Sequence, residues 1–134
     1  MVDPGNDSYT FKNFGSSNID ISGYRLCTLK TYGGGTLSTI NDGAQSLDLA
    51  PGASVTLSGW PINDTAADLA LYKASGSFGD FNNMLDFVQW GSAGNGRETE
   101  AENAGLWTKG DFLSGAGPFE FTGDETTYGK ENWK

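Results

Sequence analysis

Histidine is absent from the chain and Cys27 is its one cysteine. Those two facts limit the chemistry the side chains could do. No Ser-His-Asp or Cys-His arrangement can be assembled, and histidine metal sites are ruled out. Cys27 falls in a strand-like pattern with Tyr24 and Leu26, with no base beside it, and reads as a buried, inert thiol. One cysteine cannot close a disulfide within the chain, so the redox compartment stays open. Acid–base chemistry would have to come from carboxylates. Two acids flanking a cleft could cleave a glycosidic bond, and Asp64, Asp68, Asp86 and Glu98 are available for it. Nothing beyond the count of acids points that way, so no catalytic residue is assigned and the protein is expected not to be an enzyme.

Binding chemistry has more to work with. Oxygen-rich loops occur at Asn41-Asp42-Gly43, Asn63-Asp64-Thr65, Gly79-Asp80-Phe81-Asn82-Asn83 and Gly123-Asp124-Glu125. None completes a calcium loop, and solvated turn residues account for them. No cofactor is expected; the one metal weighed is calcium, at Asp80, Asn82 and Asn83, where three oxygens fall within four residues. The 4 Trp, 5 Tyr and 8 Phe offer flat faces for sugar rings, with Trp60 and Trp107 as the candidate platform. The competing reading puts Trp90 and most Phe in the core and lets Trp107 pin a C-terminal loop. Arg97 could anchor a ligand carboxylate; a local salt bridge with Glu98 or Glu100 is the simpler expectation.

The elements that would position these groups are short strands. Tyr9 and Phe11 alternate with Thr10 and Lys12, the period of a strand with one buried face. Asn13 to Asn18 is turn chemistry, Ile19 and Ile21 resume the alternation, and Ser22-Gly23 breaks it. Breaks this close exclude a helix of useful length. Strands are predicted at Ser8–Lys12, Ile19–Ile21, Tyr24–Lys30, Thr36–Ile40, Ser46–Leu49, Ala53–Ser58, Asp68–Lys73 and Met84–Trp90. Both faces of 85–90 are partly apolar, which predicts a central strand. Tyr32-Gly33-Gly34-Gly35 reads as a loop or hairpin tip, Asn41-Asp42-Gly43 as a turn, and Ala50-Pro51-Gly52-Ala53 as a type II turn. Residues 1–7 are expected to fray. Arg97 to Gly105 has helix propensity, with Gly105 as its end, and Pro118–Phe121 reads as a last edge strand.

The whole chain has 134 residues, 20 of them glycine, and a net charge of −9. This suits one all-β domain, large enough to fold without staples. No cluster of Lys or Arg would attract a phosphate backbone, so nucleic acid is not an expected partner. No apolar run is long enough to cross a bilayer, so direct membrane insertion is not expected. The opening MVDPGNDS is polar and carries no signal peptide, although a cleaved one would leave no trace. Asn6-Asp7-Ser8 and Asn63-Asp64-Thr65 fit the N-glycosylation pattern, which matters only in a eukaryotic secretory host.

Four stretches, in order, resemble the lamin-tail domain. They are Asn13-Phe14-Gly15 with Asp20-Ile21-Ser22-Gly23-Tyr24-Arg25-Leu26; Leu49-Ala50-Pro51-Gly52-Ala53-Ser54-Val55; Asp68-Leu69-Ala70-Leu71-Tyr72 with Gly76; and Leu85-Asp86-Phe87-Val88-Gln89-Trp90-Gly91. The match spans about residues 8–94. The resemblance implies an immunoglobulin-like β-sandwich of the lamin-tail type over a single domain, 1–134, with 95–134 as a loop-rich elaboration. Asn13, Gly15, Asp20, Gly23, Tyr24, Pro51, Gly52, Asp86 and Trp90 would be its structural motif. There is no coiled-coil heptad and no basic patch, which is more like the bacterial, secreted or surface-attached branch than a nuclear lamin. That branch implies a non-catalytic accessory, adhesion or protein-interaction module, located outside the cell or on its surface. A carbohydrate-binding module is the alternative reading, and a hydrolase the more distant one. The expected partner is a protein or glycan surface ligand; self-association through open sheet edges is a further expectation.

Overall fold

A computed structural model describes residues 1–30, 35–41 and 43–134. The expected loop at Tyr32–Gly35 therefore falls largely outside the described residues; of the turn at Asn41–Gly43 only Asp42 does, and Gly43 takes a φ of +71°. The architecture is all-β. Its strands are β1 (Val2–Asp3), β2 (Ser8–Lys12), β3 (Ile19–Asp20), β4 (Arg25–Cys27), β5 (Asp48–Leu49), β6 (Ser54–Ser58), β7 (Ala67–Tyr72) and β8 (Met84–Trp90). Among the described residues two short α-helices accompany them, α1 (Leu37–Asn41) between β4 and β5 and α2 (Glu98–Asn103) after β8. The strands form antiparallel sheets in the orders β1-β2-β6, β3-β5 and β4-β7-β8.

One apolar cluster lies between them. Tyr9, Val55 and Leu57 come from the first sheet, Leu49 from the second, and Leu26, Leu69, Tyr72, Phe87 and Trp90 from the third. The alternation in the sequence explains this packing: β6 reads exposed-buried-exposed-buried-exposed along Ser54–Ser58, so Val55 and Leu57 enter the core while Ser54, Thr56 and Ser58 face water. Trp90 is fully buried and its indole N–H donates to Asn63 O at 3.0 Å, which satisfies the one polar atom that burial would otherwise penalise.

The turn motifs do local work. Asp20 Oδ1 accepts from Ser22 N at 2.8 Å. Gly52 has φ of +76° and Ala53 N donates to Ala50 O at 2.9 Å, as a type II turn requires. Asn13 is buried; its amide Nδ2 donates to Ser17 O and to Leu49 O, each at 2.8 Å, and its Oδ1 accepts from Gly15 N. A single side chain thus ties the β2–β3 turn to β5.

Several expected elements differ. Thr36–Ile40 is not a strand: Leu37–Asn41 is helical. Thr36 O accepts from both Thr39 N and Ile40 N, and Thr36 Oγ1 meets Thr39 Oγ1 at 2.7 Å. The hydroxyl residue at the start favours a helical turn over the extended form that its β-branched neighbours suggest. β4 stops at Cys27 rather than Lys30, because Leu29 and Lys30 take φ of +46° and +58° and Leu29 N donates to Asp68 Oδ1 at 2.7 Å. The central strand of its sheet is β7, not β8. The apolar outer side of β8 is explained by a parallel bridge from Trp90 to Leu113 and by α2 beside it. Residues 1–7 do not fray: Val2 is buried, pairs with Tyr9, and exchanges two hydrogen bonds with Phe119, at 2.8 and 2.7 Å. The Pro118–Phe121 segment is consequently flanked rather than an edge, with Val2 bridging Phe119 and Trp133 bridging Phe121.

Candidate functional site

The residues singled out from the sequence are dispersed. Asp80 is the N-cap of a 3-10 turn at Phe81–Asn83, and its Oδ1 accepts from Asn82 N at 3.0 Å and Asn82 Nδ2 at 2.9 Å. Asn83 Nδ2 donates to Asp80 Oδ2 at 3.3 Å. The two asparagines thus present N–H groups to the carboxylate that would have to share a cation with them. The hydrogen bonds from Asn82 hold Asp80 below the usual carboxylate range. No group of three or more His, Cys, Asp or Glu placed to hold a metal occurs among the described residues.

Trp107 is only 4% exposed, packs edge-on against Phe87 and donates its indole N–H to Asp111 O at 2.9 Å. Its ring pins the C-terminal segment and presents no open face. Trp60 is half-buried against the core, and its carbonyl accepts from the Tyr9 hydroxyl. Arg97 is 6% exposed and pairs with Glu100 at 2.9 Å, not with Glu98.

Arg97 and Glu98 belong instead to a buried polar cluster with Asp68 and Gln89. Asp68 Oδ2 accepts from Arg97 N at 2.9 Å while its Oδ1 holds Leu29 N. Burial pushes the Asp68 carboxyl up, against those N–H donors. Gln89 Nε2 donates to Glu98 Oε1 at 2.6 Å, and Glu98 Oε1 also accepts from Gly110 N at 3.0 Å. Burial raises Glu98, but these donors more than offset it and leave the carboxyl below its ordinary value. Asn95 Nδ2 reaches Ala67 O, Trp90 O and Ser92 O. Gly96, with φ of +37°, lies so close to Asp68 that a Cβ there would collide with the carboxylate. All of these acceptors are satisfied from within, so the cluster is a clamp fastening 95–113 to β7 and β8. Cys27 is buried beside it, and burial pushes its thiol up, away from the reactive thiolate.

A different place is open. A cleft of about 580 Å³ lies between β2, the β3–β4 region, β8 and the C-terminal segment. Its aromatic walls are Phe11, Phe14, Tyr24, Phe121, Tyr128 and Trp133. Phe14 and Phe121 stand 6.0 Å apart at 76°, and Phe121 and Trp133 stand 5.3 Å apart at 60°. Phe14 and Tyr128 are 39% and 41% exposed. Asp86, Asp124 and Glu125 supply carboxylates, and Lys12 an ammonium 4.9 Å from the centre of the Phe14 ring. Asp86 Oδ1 accepts from Phe87 N at 2.8 Å. Burial pushes its carboxyl up to about 6, while the Phe87 amide and the Met1 ammonium pull it back. Asp124 is different: exposed, and held below the ordinary carboxylate value by Thr126.

Of the candidate acids, only Asp86 lines this cleft; Asp68 and Glu98 are locked in the clamp. Phe14 falls in the expected turn, and Tyr128 and Trp133 in the stretch expected only as a loop-rich elaboration, so the wall they form is not signalled there. The available signal was Phe119-Glu120-Phe121. Its alternation puts Phe119 and Phe121 on one face with Glu120 exposed between them; Phe119 is buried in the core and Phe121, further along that face, lines the cleft. The sheet edge at β6 is partly occupied, since Gln45 Nε2 donates to Thr56 O at 2.6 Å.

Compared with known proteins, the chain matches no family model, no curated protein and no solved structure.

Proposed function

We propose that this domain is a non-catalytic binding module of a secreted or cell-surface protein, and that its ligand occupies the aromatic cleft. The observation that carries the reading is the cleft itself. Its volume suits a small ligand or a short segment of a larger one, and convergent carboxylates on apolar walls are the composition of a recognition site. Exposed Phe14 and Tyr128 add apolar surface that water would disfavour. An immunoglobulin-like sandwich of the lamin-tail type is the fold this reading goes with, supported by the ordered motifs at 13–26, 49–55, 68–76 and 85–91 and by the single core shared by the sheets.

The carbohydrate reading moves with the site. Trp107 is withdrawn into the core, whereas Tyr128 and Trp133 line a cavity beside oxygens that accept hydrogen bonds. A hydrolase would have to use Asp86, whose raised carboxyl is the carboxylate of the cleft suited to donate a proton near neutrality. No second carboxylate is fixed by neighbouring donors within the cleft except Asp124, which stays ionised at the exposed rim.

Amide NMR spectra recorded against a library of glycans, short peptides and small polar compounds test the proposal. Ligand-induced shifts are expected to cluster at Phe14, Phe121 and Trp133, with no turnover. A library that moves only residues outside the cleft would overturn it. So would hydrolysis of any member that is lost in Asp86→Asn.

A further inference from the structure

The cleft offers two things together: rings inclined to one another, and carboxylates. A sugar stacks on a flat face, whereas rings at 60° and 76° make a corner. A corner of ring faces suits a compact, round cation, because each face presents the negative side of its quadrupole. The chain already places such a group there. Lys12 Nζ sits over Phe14 at 4.9 Å, within cation–π range. Asp86, Asp124 and Glu125 line the same space and outnumber the Lys12 and Met1 ammoniums there, and the whole chain carries a net charge of −9, so an approaching cation meets a favourable field.

We propose that the cleft receives a small alkylated ammonium compound, its head in the corner formed by Phe14, Phe121 and Trp133 and its charge balanced by the cleft carboxylates. This rests on the cleft being the binding site. A methylated ammonium fits better than a bare one, because its methyl groups gain from the apolar walls and it gives up less hydration on entry. Lys12 is then an internal competitor for the Phe14 face. The carboxylates select for charge and the rings for shape.

The test compares choline with its uncharged carbon isostere, 3,3-dimethylbutan-1-ol, on the unaltered protein. Titrations follow tryptophan fluorescence and amide NMR shifts. Choline is expected to bind at the cleft at least tenfold more tightly than the isostere. Phe14→Leu, which keeps bulk but removes the ring at an exposed position, is expected to weaken choline several-fold. Lys12→Met is expected to strengthen it. Equal binding of the two compounds would overturn the cation proposal while leaving the cleft as a site. Failure of choline alongside cleft shifts from another compound would do the same. Silence of the cleft toward every compound would overturn both readings.

Discussion

Asp86 carries the clearest pH signature of any single residue. Its carboxyl titrates near 3.8 when exposed and at about 6 in the fold. The folded state therefore holds this proton more tightly than the unfolded chain. Its contribution favours the fold below pH 4 and is lost as pH rises through 6. Asp86→Asn keeps an oxygen for the Phe87 amide and removes the titration. The variant is expected to be more stable than the parent at pH 7.5, by about 1–3 kcal/mol, and indistinguishable from it near pH 3.5. Urea denaturation at the two pH values measures this. Gly96 is the opposite kind of residue. Alanine there meets both a positive φ and the Asp68 carboxylate, and is expected to cost about 2–4 kcal/mol. Neither role could be read from the sequence. The sequence marks Asp86 as an available acid and a motif residue but not as a buried carboxyl, and it marks nothing at Gly96. What singles them out is the neighbour that each meets across the fold.

At the scale of elements, the clamp between α2 and the β7–β8 pair gives the next prediction. Trp107→Ala removes a buried ring packed on Phe87 and the hydrogen bond to Asp111. It is expected to destabilise the domain by about 3–5 kcal/mol and to speed amide exchange in 98–113 first. Uniform acceleration across all strands, with no early loss there, would contradict the clamp. Strands with clean alternation, β2 and β6, are placed in the sequence to within a residue, and Met84–Trp90 is placed at its observed bounds. Thr36–Ile40 was misread because β-branched Thr36, Thr39 and Ile40 favour a strand, whereas the spacing of Leu37 and Ile40, one helical turn apart, fits the helix and not a period of two. The central position expected for β8 failed for a related reason. An apolar outer face signals cover, and the cover here is a loop and a short helix rather than another strand.

For the molecule as a whole, negative charge is the dominant electrostatic fact. Among the described residues, the ion pairs are Arg97–Glu100 and the exposed Lys109–Glu102, so most acids face solvent without a partner cation. Mutual repulsion should relax as salt screens it. Raising NaCl from about 0.02 to 0.5 M is expected to lift Tm by a few degrees, measured by scanning calorimetry; a fall would mean that favourable pairs outweigh the repulsion. The all-β class was legible because composition and turn spacing report it directly. The cleft was not, because its walls come from β2, the β3–β4 region and the C-terminal segment, which only the fold brings together. The pairing of Val2 with Phe119 has a consequence for biosynthesis. The first strand emerges from the ribosome nearly a whole chain before its second neighbour, and the Phe121 wall of the cleft is made later still. A nascent chain can pair β2 with β6 and β7 with β8 while its first strand still lacks a neighbour on one side. Completion of the domain, and of its cleft, thus waits on the emergence of Phe119, Phe121 and Trp133.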